Sequence, residues 1–404
     1  MAEFTDYVWL IGDEAAAYLD RLAIDDRPEL QQLDSLRKEQ SFTRARLLVE
    51  QASLRRRAIT KFGDLAKRMF FTPTRLEQAT DLAVARYKAA RLRVAVGGAM
   101  VADYCCGIGG DLIALAEHGI AAGYDLSPIP CLFAEANYRS ALSDATLLRV
   151  RIHQGNVEAL TPSADGAWHL DPDRRTTGRR TTTFADYDPG PELIERWRRA
   201  NPQGALKLAP ATEAPAEWAA SIELEWISSR RECRQLVAWF GSLATAPGQH
   251  RATALKSASP DDAAPASSSF VGQPSVRCDA DDAVLEFIYD PDPSILAADL
   301  LGAIAAQHDL RSLGAGGAYL TGPQAIADPL LATFAVRDTL PLRVDAIAKH
   351  MAAHNIGQVE IKKRGVTIDP HSLRQKLKLR GNEAATLILT RIGDRQVAIV
   401  ADRL

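Results

Sequence analysis

Cysteine is scarce in this chain of 404 residues, and the five that occur are scattered. Cys105, Cys106, Cys131, Cys233 and Cys278 contain no Cys-x-x-Cys pair, and no histidines stand at zinc spacing from them. A disulfide framework and a zinc module are thereby excluded, and no metal is expected. Thiols used in this way suit the reducing cytoplasm. Long apolar runs are missing too, so no membrane span is expected. The first residues carry Glu3, Asp6 and Asp13 rather than the basic start of a signal peptide. Nor does either charge dominate: 48 Lys and Arg against 51 Asp and Glu leave −3, which gives no whole-molecule attraction to nucleic acid. A local basic face is still open. What is present is the composition of a globular protein, 47% hydrophobic and 25% charged, and long enough for two or three domains.

The stretch that organises the chain is Val101 to Asp111, Val-Ala-Asp-Tyr-Cys-Cys-Gly-Ile-Gly-Gly-Asp. Ala99 to Tyr104 reads as a short buried strand. Leu112 to His118 has helical spacing, with Leu112, Leu115 and Ala116 on one face. The glycines therefore sit on a strand-to-helix turn, where a missing Cβ allows positive φ and close approach to a ligand. Open α/β sheets bind nucleotides at such turns. Two signatures are absent. Leu112 stands where a dinucleotide fingerprint has its third glycine, and no Walker lysine follows. An acid, Asp103, closes the strand instead. An ordinary glycine-rich turn is the competing reading at this point. A second strand, Ala121 to Tyr124, ends in Asp125-Leu126-Ser127-Pro128, 22 residues after Asp103. A carboxylate there is placed to accept both ribose hydroxyls of an adenosine, as in dinucleotide folds. Its blander reading is an acid at a helix N-terminus.

An acid before alternating glycines, followed by this second acid, resembles the class I S-adenosylmethionine-dependent methyltransferases. The resemblance implies a Rossmann-like α/β fold with a seven-strand sheet and S-adenosylmethionine as cofactor. It implies that Asp103 helps hold the methionine amine and Asp125 the ribose. Cys105 replaces the family's first glycine, a swap shared with RNA-modifying members such as the trimethylguanosine synthases. The resemblance further implies a crevice formed by Asp103, Cys105, Gly107, Gly109, Gly110, Asp125 and Leu126, with Asn156 and Val157 beside the adenine. Phe71 and Thr72 are candidates for a segment folding over the cofactor, with a hydrophobic staple as the alternative. A nicotinamide-dependent oxidoreductase is the rival enzyme class.

Four domains or segments are expected: a helical region over 1–90, the methyltransferase domain over 91–256, a linker over 257–280 and a C-terminal domain over 281–404. In the first, Ser35 to Ile59 reads as one helix, and Thr74 as the N-cap of another that runs through Lys88. In the second, strands are expected at Leu147 to His153, Gly166 to Leu170, Gly204 to Ala209, Ile222 to Ile227 and His250 to Leu255. A helix is expected from the sixth strand to Trp239. The strand at Gly166 to Leu170 ends in Asp171-Pro172-Asp173-Arg174-Arg175. In methyltransferases of exocyclic amines this loop carries Asp or Asn, Pro, Pro and an aromatic. The carboxylate and the proline's backbone carbonyl can accept the amine's two hydrogens and aim its lone pair at the methyl group. Asp171, Pro172 and Asp173 are thus the catalytic candidates. Asp173-Arg174 departs from Pro-aromatic, so a base-stacking ring must come from Trp168, Phe184 or Tyr187, or be absent. A binding protein that has lost the chemistry, or an enzyme acting on a protein or small molecule, stays open on that ground. Arg174 and Arg175, like Arg179 and Arg180, read either as phosphate or base contacts or as a solvated loop.

The segment 256–280, rich in Ser and Pro, reads as a linker or a long sheet-edge loop. Beyond it a strand is expected at Ala283 to Tyr289, a helix at Ser294 to Ala306 and a short strand at 318–322. From Ala332 strands and helices alternate as a compact α+β layer. From Val336 to the C-terminus 13 Lys and Arg face 7 Asp and Glu, a balance of +6. Lys362-Lys363-Arg364-Gly365 and Lys376, Lys378, Arg380, Gly381 supply much of it. With the runs at 362–366, 373–381 and 385–391, this part resembles the THUMP-like domain appended to some bacterial methyltransferases. That implies RNA as a partner, with those six cations on phosphates. A structural cap with a solvated basic edge is the alternative.

Overall fold

In the computed structural model, residues 2–174, 181–256, 265–314 and 316–404 are described. By compactness the chain forms two units. The first comprises Met1–Glu223, Arg234–Pro247 and Leu255–Ser267, and the second Leu224–Cys233, Gly248–Ala254 and Ser268–Leu404. The stretches 224–233 and 248–254, placed with the first domain from sequence, therefore pack with the second unit.

The first unit opens with helices, as expected, but broken differently. Phe4–Leu10, Asp13–Ala23 and Glu29–Leu36 precede the long Phe42–Phe62. The expected helix over 35–59 is interrupted because Ser41 takes an extended ψ and accepts from Arg44 N–H at 3.3 Å, an N-cap. The buried side of Phe42–Phe62 has helical spacing, with Ala45, Leu48, Ala52 and Phe62 inward. Next, Thr72 rather than Thr74 caps Pro73–Gln78, since Pro73 suits the first helical position and Thr72 Oγ1 reaches Arg75 N–H at 3.2 Å. Ala79 then turns extended, and Asp81 starts a fresh helix, Leu82–Val96. Lys61 satisfies the stranded carbonyls at this break, reaching Leu76, Glu77 and Ala79 at 2.8, 3.1 and 2.8 Å. The break brings Thr80 to the site described below.

The strands follow as β1 (Val101–Tyr104), β2 (Ala121–Asp125), β3 (Val150–Gln154), β4 (Ala167–Leu170), β5 (Gly204–Leu208), β6 (Glu223–Ser229), β7 (Glu232–Trp239), β8 (His250–Leu255) and β9 (Ser267–Gly272). In the first unit the order is β3-β2-β1-β4-β5-β7. β1 to β5 pair in parallel, and β7 runs antiparallel to β5. The expected helix up to Trp239 is thus a strand. Arg230 and Arg231, both at positive φ (53° and 58°), make a tight connection from β6 into β7. Without the Asn-Gly that usually marks such a turn, the hairpin was invisible in sequence. The strand order reverses between β1 and β4, which opens a crevice at their carboxyl ends.

In the second unit β6, β8 and β9 are neighbours in that order, so the serines expected in a linker lie in a strand. A separate eight-stranded sheet contains β10 (Ala280–Asp281), β11 (Phe287–Pro291), β12 (Arg311–Leu313), β13 (Leu320–Gly322), β14 (Leu331–Pro341), β15 (Ile356–Lys363), β16 (Glu383–Ile392) and β17 (Arg395–Arg403). The expected helix over 294–306 is two, Pro293–Ala297 and Leu301–Gln307, because Asp299 between them takes φ 55°. The alternation after 332 agrees with expectation, with helices Val344–Ala353 and Pro370–Leu377. Ile347, Met351, Leu373 and Leu377 of those helices pack with Leu387 and Leu389 of β16. Ile388, between them, packs with Ile288, Phe334 and Ile399 instead. This period of two gives the sheet a core on each face. Among the described residues no helix is long and apolar enough to cross a membrane.

Candidate active site

The turn after β1 has three left-handed positions in alternation: Cys105, Gly107 and Gly109, at φ 59°, 56° and 83°. Cys105 holds a conformation that costs an L-residue roughly 1–2 kcal/mol, which is why glycine is the commoner choice there. A Cβ on Gly109 would stand 3.3 Å from that of Ala134, so a side chain there would crowd the neighbouring helix as well as strain the backbone. On Gly107 it would meet only Arg75 Cδ, at 3.9 Å, so this backbone faces the crevice. Gly110 begins the helix Gly110–Glu117.

Asp125, at the end of β2, holds this turn. One carboxylate oxygen accepts from Gly107 N–H and the other from Ser127 N–H, each at 3.0 Å. Arg75 lies 3.7 Å from the second oxygen, so its side chain spans the glycine turn. Burial, then the carboxylates of Asp125, Asp171 and Asp103, push the Cys105 thiol up. Cys106 is pushed the same way, mainly by burial. Neither is set up as a thiolate nucleophile.

One cavity is lined by Cys105, Gly107 and Gly110 of the turn together with Asp171, Pro172, Asp173 and Arg174. The structure thus brings the glycine turn and the Asp-Pro loop to one place. Arg75, Gln78, Thr80, Asp111 and Lys207 also line it. Asp171 is 2.6 Å from Lys207 Nζ, which also donates to Thr80 Oγ1 (3.1 Å) and the Gln78 carbonyl (3.2 Å). Asp173 is fixed twice: its backbone pairs with Asp188, and its side chain accepts from Gln78 at 3.2 Å.

Other expected residues do not line this cavity. Phe71 is buried against Phe62, and its N–H is bound by Gln51, so it offers no face to a cofactor. Thr72 is engaged as the helix cap. Asn156 likewise caps a short turn, its carbonyl oxygen accepting from Glu158 N–H at 2.9 Å, and Val157 is buried. Leu126 is 65% exposed. Trp168, Phe184 and Tyr187 all belong to the core, which removes each as a base-stacking ring. Arg175, with Arg179 and Arg180, lies outside the described residues.

Beneath the cavity Asp103 is 1% exposed. Parallel register sets it beside His169 of β4, and one of its oxygens lies 2.7 Å from His169 Nδ1. The other oxygen has no hydrogen-bond partner. On the far side of His169, Lys88 Nζ is 3.0 Å from Nε2 and 2.7 Å from Asp111, whose second oxygen accepts from Thr80 at 2.6 Å. Sequence reading missed Lys88, His169, Asp111, Lys207 and Arg75. The available signal was a polar residue inside an apolar run, as His169 is in Ala-Trp-His-Leu.

A buried carboxylate oxygen that lacks a partner asks for a donor or a cation. Beside it, a turn of left-handed residues offers bare backbone to a flat or extended ligand. Both requirements are met by a nucleoside that carries an amino acid, and so by S-adenosylmethionine; the residues present fit that cofactor. An S-adenosylmethionine-dependent methyltransferase of the Rossmann-like type is therefore the class that this fold and site define.

Comparison with known proteins agrees. Over 364 residues, 87% of this chain and 94% of the relative, the sequence is 33% identical to an uncharacterized S-adenosylmethionine-dependent methyltransferase of Mycobacterium tuberculosis strain H37Rv. Its counterpart in strain CDC 1551 matches to the same extent. The chain belongs to this family. A family described as THUMP domain-like matches residues 331–403. A crystal structure from Porphyromonas gingivalis W83, named for an inferred methyltransferase activity, shares the fold with a TM-score of 0.73. It is 18% identical and covers 100% of this chain and 99% of its own.

Proposed function

We propose that this methyltransferase acts on a base of an RNA, with the THUMP-like domain contacting the RNA backbone. The observation that carries the reading is the convergence of the Asp171-Pro172 loop and the glycine turn on one cavity, in a chain that also carries a THUMP-like domain. Asp103, Gly107 and Asp125 would hold the cofactor. It supplies a methyl group already activated on a sulfonium, so no metal is needed for the transfer. The chain's own work is positioning. Lys207 holds one oxygen of Asp171, leaving the other to accept a hydrogen from the nucleophile. The Pro172 carbonyl is the second acceptor, and together they aim the lone pair. Arg174, on the cavity wall and only half-buried, takes the stacking role that no aromatic fills.

On the THUMP-like domain the cations divide into two groups. Lys363, Lys376, Lys378 and Arg380 are exposed. Lys362 and Arg364 are not free in the way sequence suggests: both pair with the buried Asp290, at 3.0 and 2.7 Å, as does Arg231 at 2.9 Å. Phosphate contact therefore falls mainly to the exposed four.

Transfer of a labelled methyl group to total RNA, with the chain's own cell extract as competing acceptor, tests the proposal. Label in RNA that is lost with Asp171→Ala supports it. Label in protein or small molecules but never in RNA would overturn the acceptor assignment.

A further inference from the structure

We propose that Lys88 and His169 are positioning residues for the cofactor, a buried pair that keeps one oxygen of Asp103 directed to the cofactor's ammonium group. The inference rests on the assignment of Asp103 to the cofactor amine and adds two residues that do not themselves touch it.

The starting observation is a lysine that is 1% exposed. Buried lysines are rare because desolvating an ammonium is costly, and Asp111 at 2.7 Å offsets that cost here. Yet Lys88 Nζ also faces His169 Nε2 at 3.0 Å. An ammonium has only hydrogens to offer, so Nε2 must accept, and the ring proton must sit on Nδ1. Nδ1–H then donates to Asp103 across 2.7 Å. Lys88 thus dictates the tautomer, and the tautomer gives Nδ1 the hydrogen that engages one oxygen of Asp103.

The second consequence concerns charge. With Nε2 accepting from Lys88, His169 has its Nδ1–H to donate to Asp103. That engages one oxygen of the carboxylate, and the second has no hydrogen-bond partner. The cofactor's amino-acid part brings a cation to it. The groups facing Asp103 are His169 from β4, Lys88 from Leu82–Val96, Asp111 from Gly110–Glu117, and Cys105 and Cys106 from the turn. Burial pushes the Asp103 carboxyl up, with His169 and Lys88 pulling the other way. Ammonium binding favours the ionised form, so affinity should rise with pH and a proton should leave as the cofactor binds.

Calorimetry with S-adenosylhomocysteine, which keeps the amine, and 5′-methylthioadenosine, which lacks the amino-acid part, tests this between about pH 5.5 and 8.5. His169→Leu should weaken S-adenosylhomocysteine binding about tenfold or more, by removing a hydrogen bond to a charged group, and move its pH dependence upward. Binding of 5′-methylthioadenosine should hardly change. His169→Asn, whose amide nitrogen replaces Nδ1, should restore affinity to within about threefold of the native protein. Should His169→Leu not fold, nitrogen-15 spectra of the native protein serve instead. The Nδ1–H tautomer of His169, with a resonance shift on adding S-adenosylhomocysteine, is expected. The Nε2–H tautomer, unaltered S-adenosylhomocysteine binding in His169→Leu, or equal losses for both ligands would overturn the proposal. Asp103→Asn separates the two levels. If it binds S-adenosylhomocysteine normally, the cofactor assignment of Asp103 fails. If it binds weakly while His169→Leu does not, only the positioning role fails.

Discussion

Asp171 lines the cavity, with one oxygen 2.6 Å from the Lys207 ammonium. That geometry makes the nature of the acceptor testable with two substitutions. An amine needs a hydrogen-bond acceptor, not a charge, so Asp171→Asn should retain methyl transfer to within about tenfold of the native enzyme. Asp171→Ala should lose about a hundredfold or more in kcat while cofactor affinity stays constant. If Asn is as poor as Ala in single-turnover assays, the residue works as a base and an exocyclic amine is not the nucleophile. Asp111 carries a prediction about pH. Burial alone would raise its carboxyl, but the Lys88 ammonium, with Lys207 behind it, holds it below the usual range. A depressed carboxyl stabilises the fold above about pH 4, and that contribution is lost as pH falls through the folded value. Lys88→Met reverses the balance by stranding a buried carboxylate, at about 3–5 kcal/mol near neutrality. Urea unfolding should show a smaller deficit at about pH 4, where Asp111 can accept a proton.

At the scale of elements, what sequence could reveal was governed by local chemistry. β1 and β2 were legible because each is a short apolar run ending in an acid and a turn. The C-terminal alternation was legible because β16 and β17 are continuous apolar runs buried on both faces, as in Leu387, Ile388 and Leu389. β7 was not, since its turn is Arg230-Arg231 rather than a glycine pair. The break at Ala79 was hidden for another reason: the carbonyls it strands are satisfied by Lys61 and Lys207, both distant in sequence. The site followed the same rule. Its backbone part, the glycine turn with Asp125, could be read directly. The chain from Asp103 through His169 and Lys88 to Asp111 depends on parallel register and helix packing, and no spacing encodes it. The hairpin also yields a stability test. Arg230 is exposed at φ 53°, so Arg230→Gly should relieve left-handed strain and raise stability by up to about 1 kcal/mol in urea unfolding. No gain would mean that the turn's conformation is held at no cost.

For the molecule as a whole the open matter is how a protein of net charge −3 would hold RNA. Long-range attraction is absent, so any affinity must come from a local set of cations. Counting charges along the sequence would choose Lys362, Lys363 and Arg364 first. The fold divides them, because Asp290 draws Lys362, Arg364 and Arg231 into a half-buried cluster. Lys363, Lys376, Lys378 and Arg380 remain exposed to solvent and counterions. Each phosphate contact releases about 0.7 to 0.9 counterions, so replacing all four with alanine should flatten the log–log salt dependence of RNA binding by about 3. Lys362→Ala with Arg364→Ala should act differently. It uncovers a buried carboxylate, so the main effect should be lost stability, with at most a small change in slope. Filter binding across a salt series, beside urea unfolding of the same variants, separates these outcomes. A slope that follows the pair at Asp290 and ignores the four exposed cations would show that the Asp290 cluster opens on binding and itself holds the phosphates. A slope that follows neither would leave the basic edge as a solvated cap, and the acceptor would then have to be sought outside RNA.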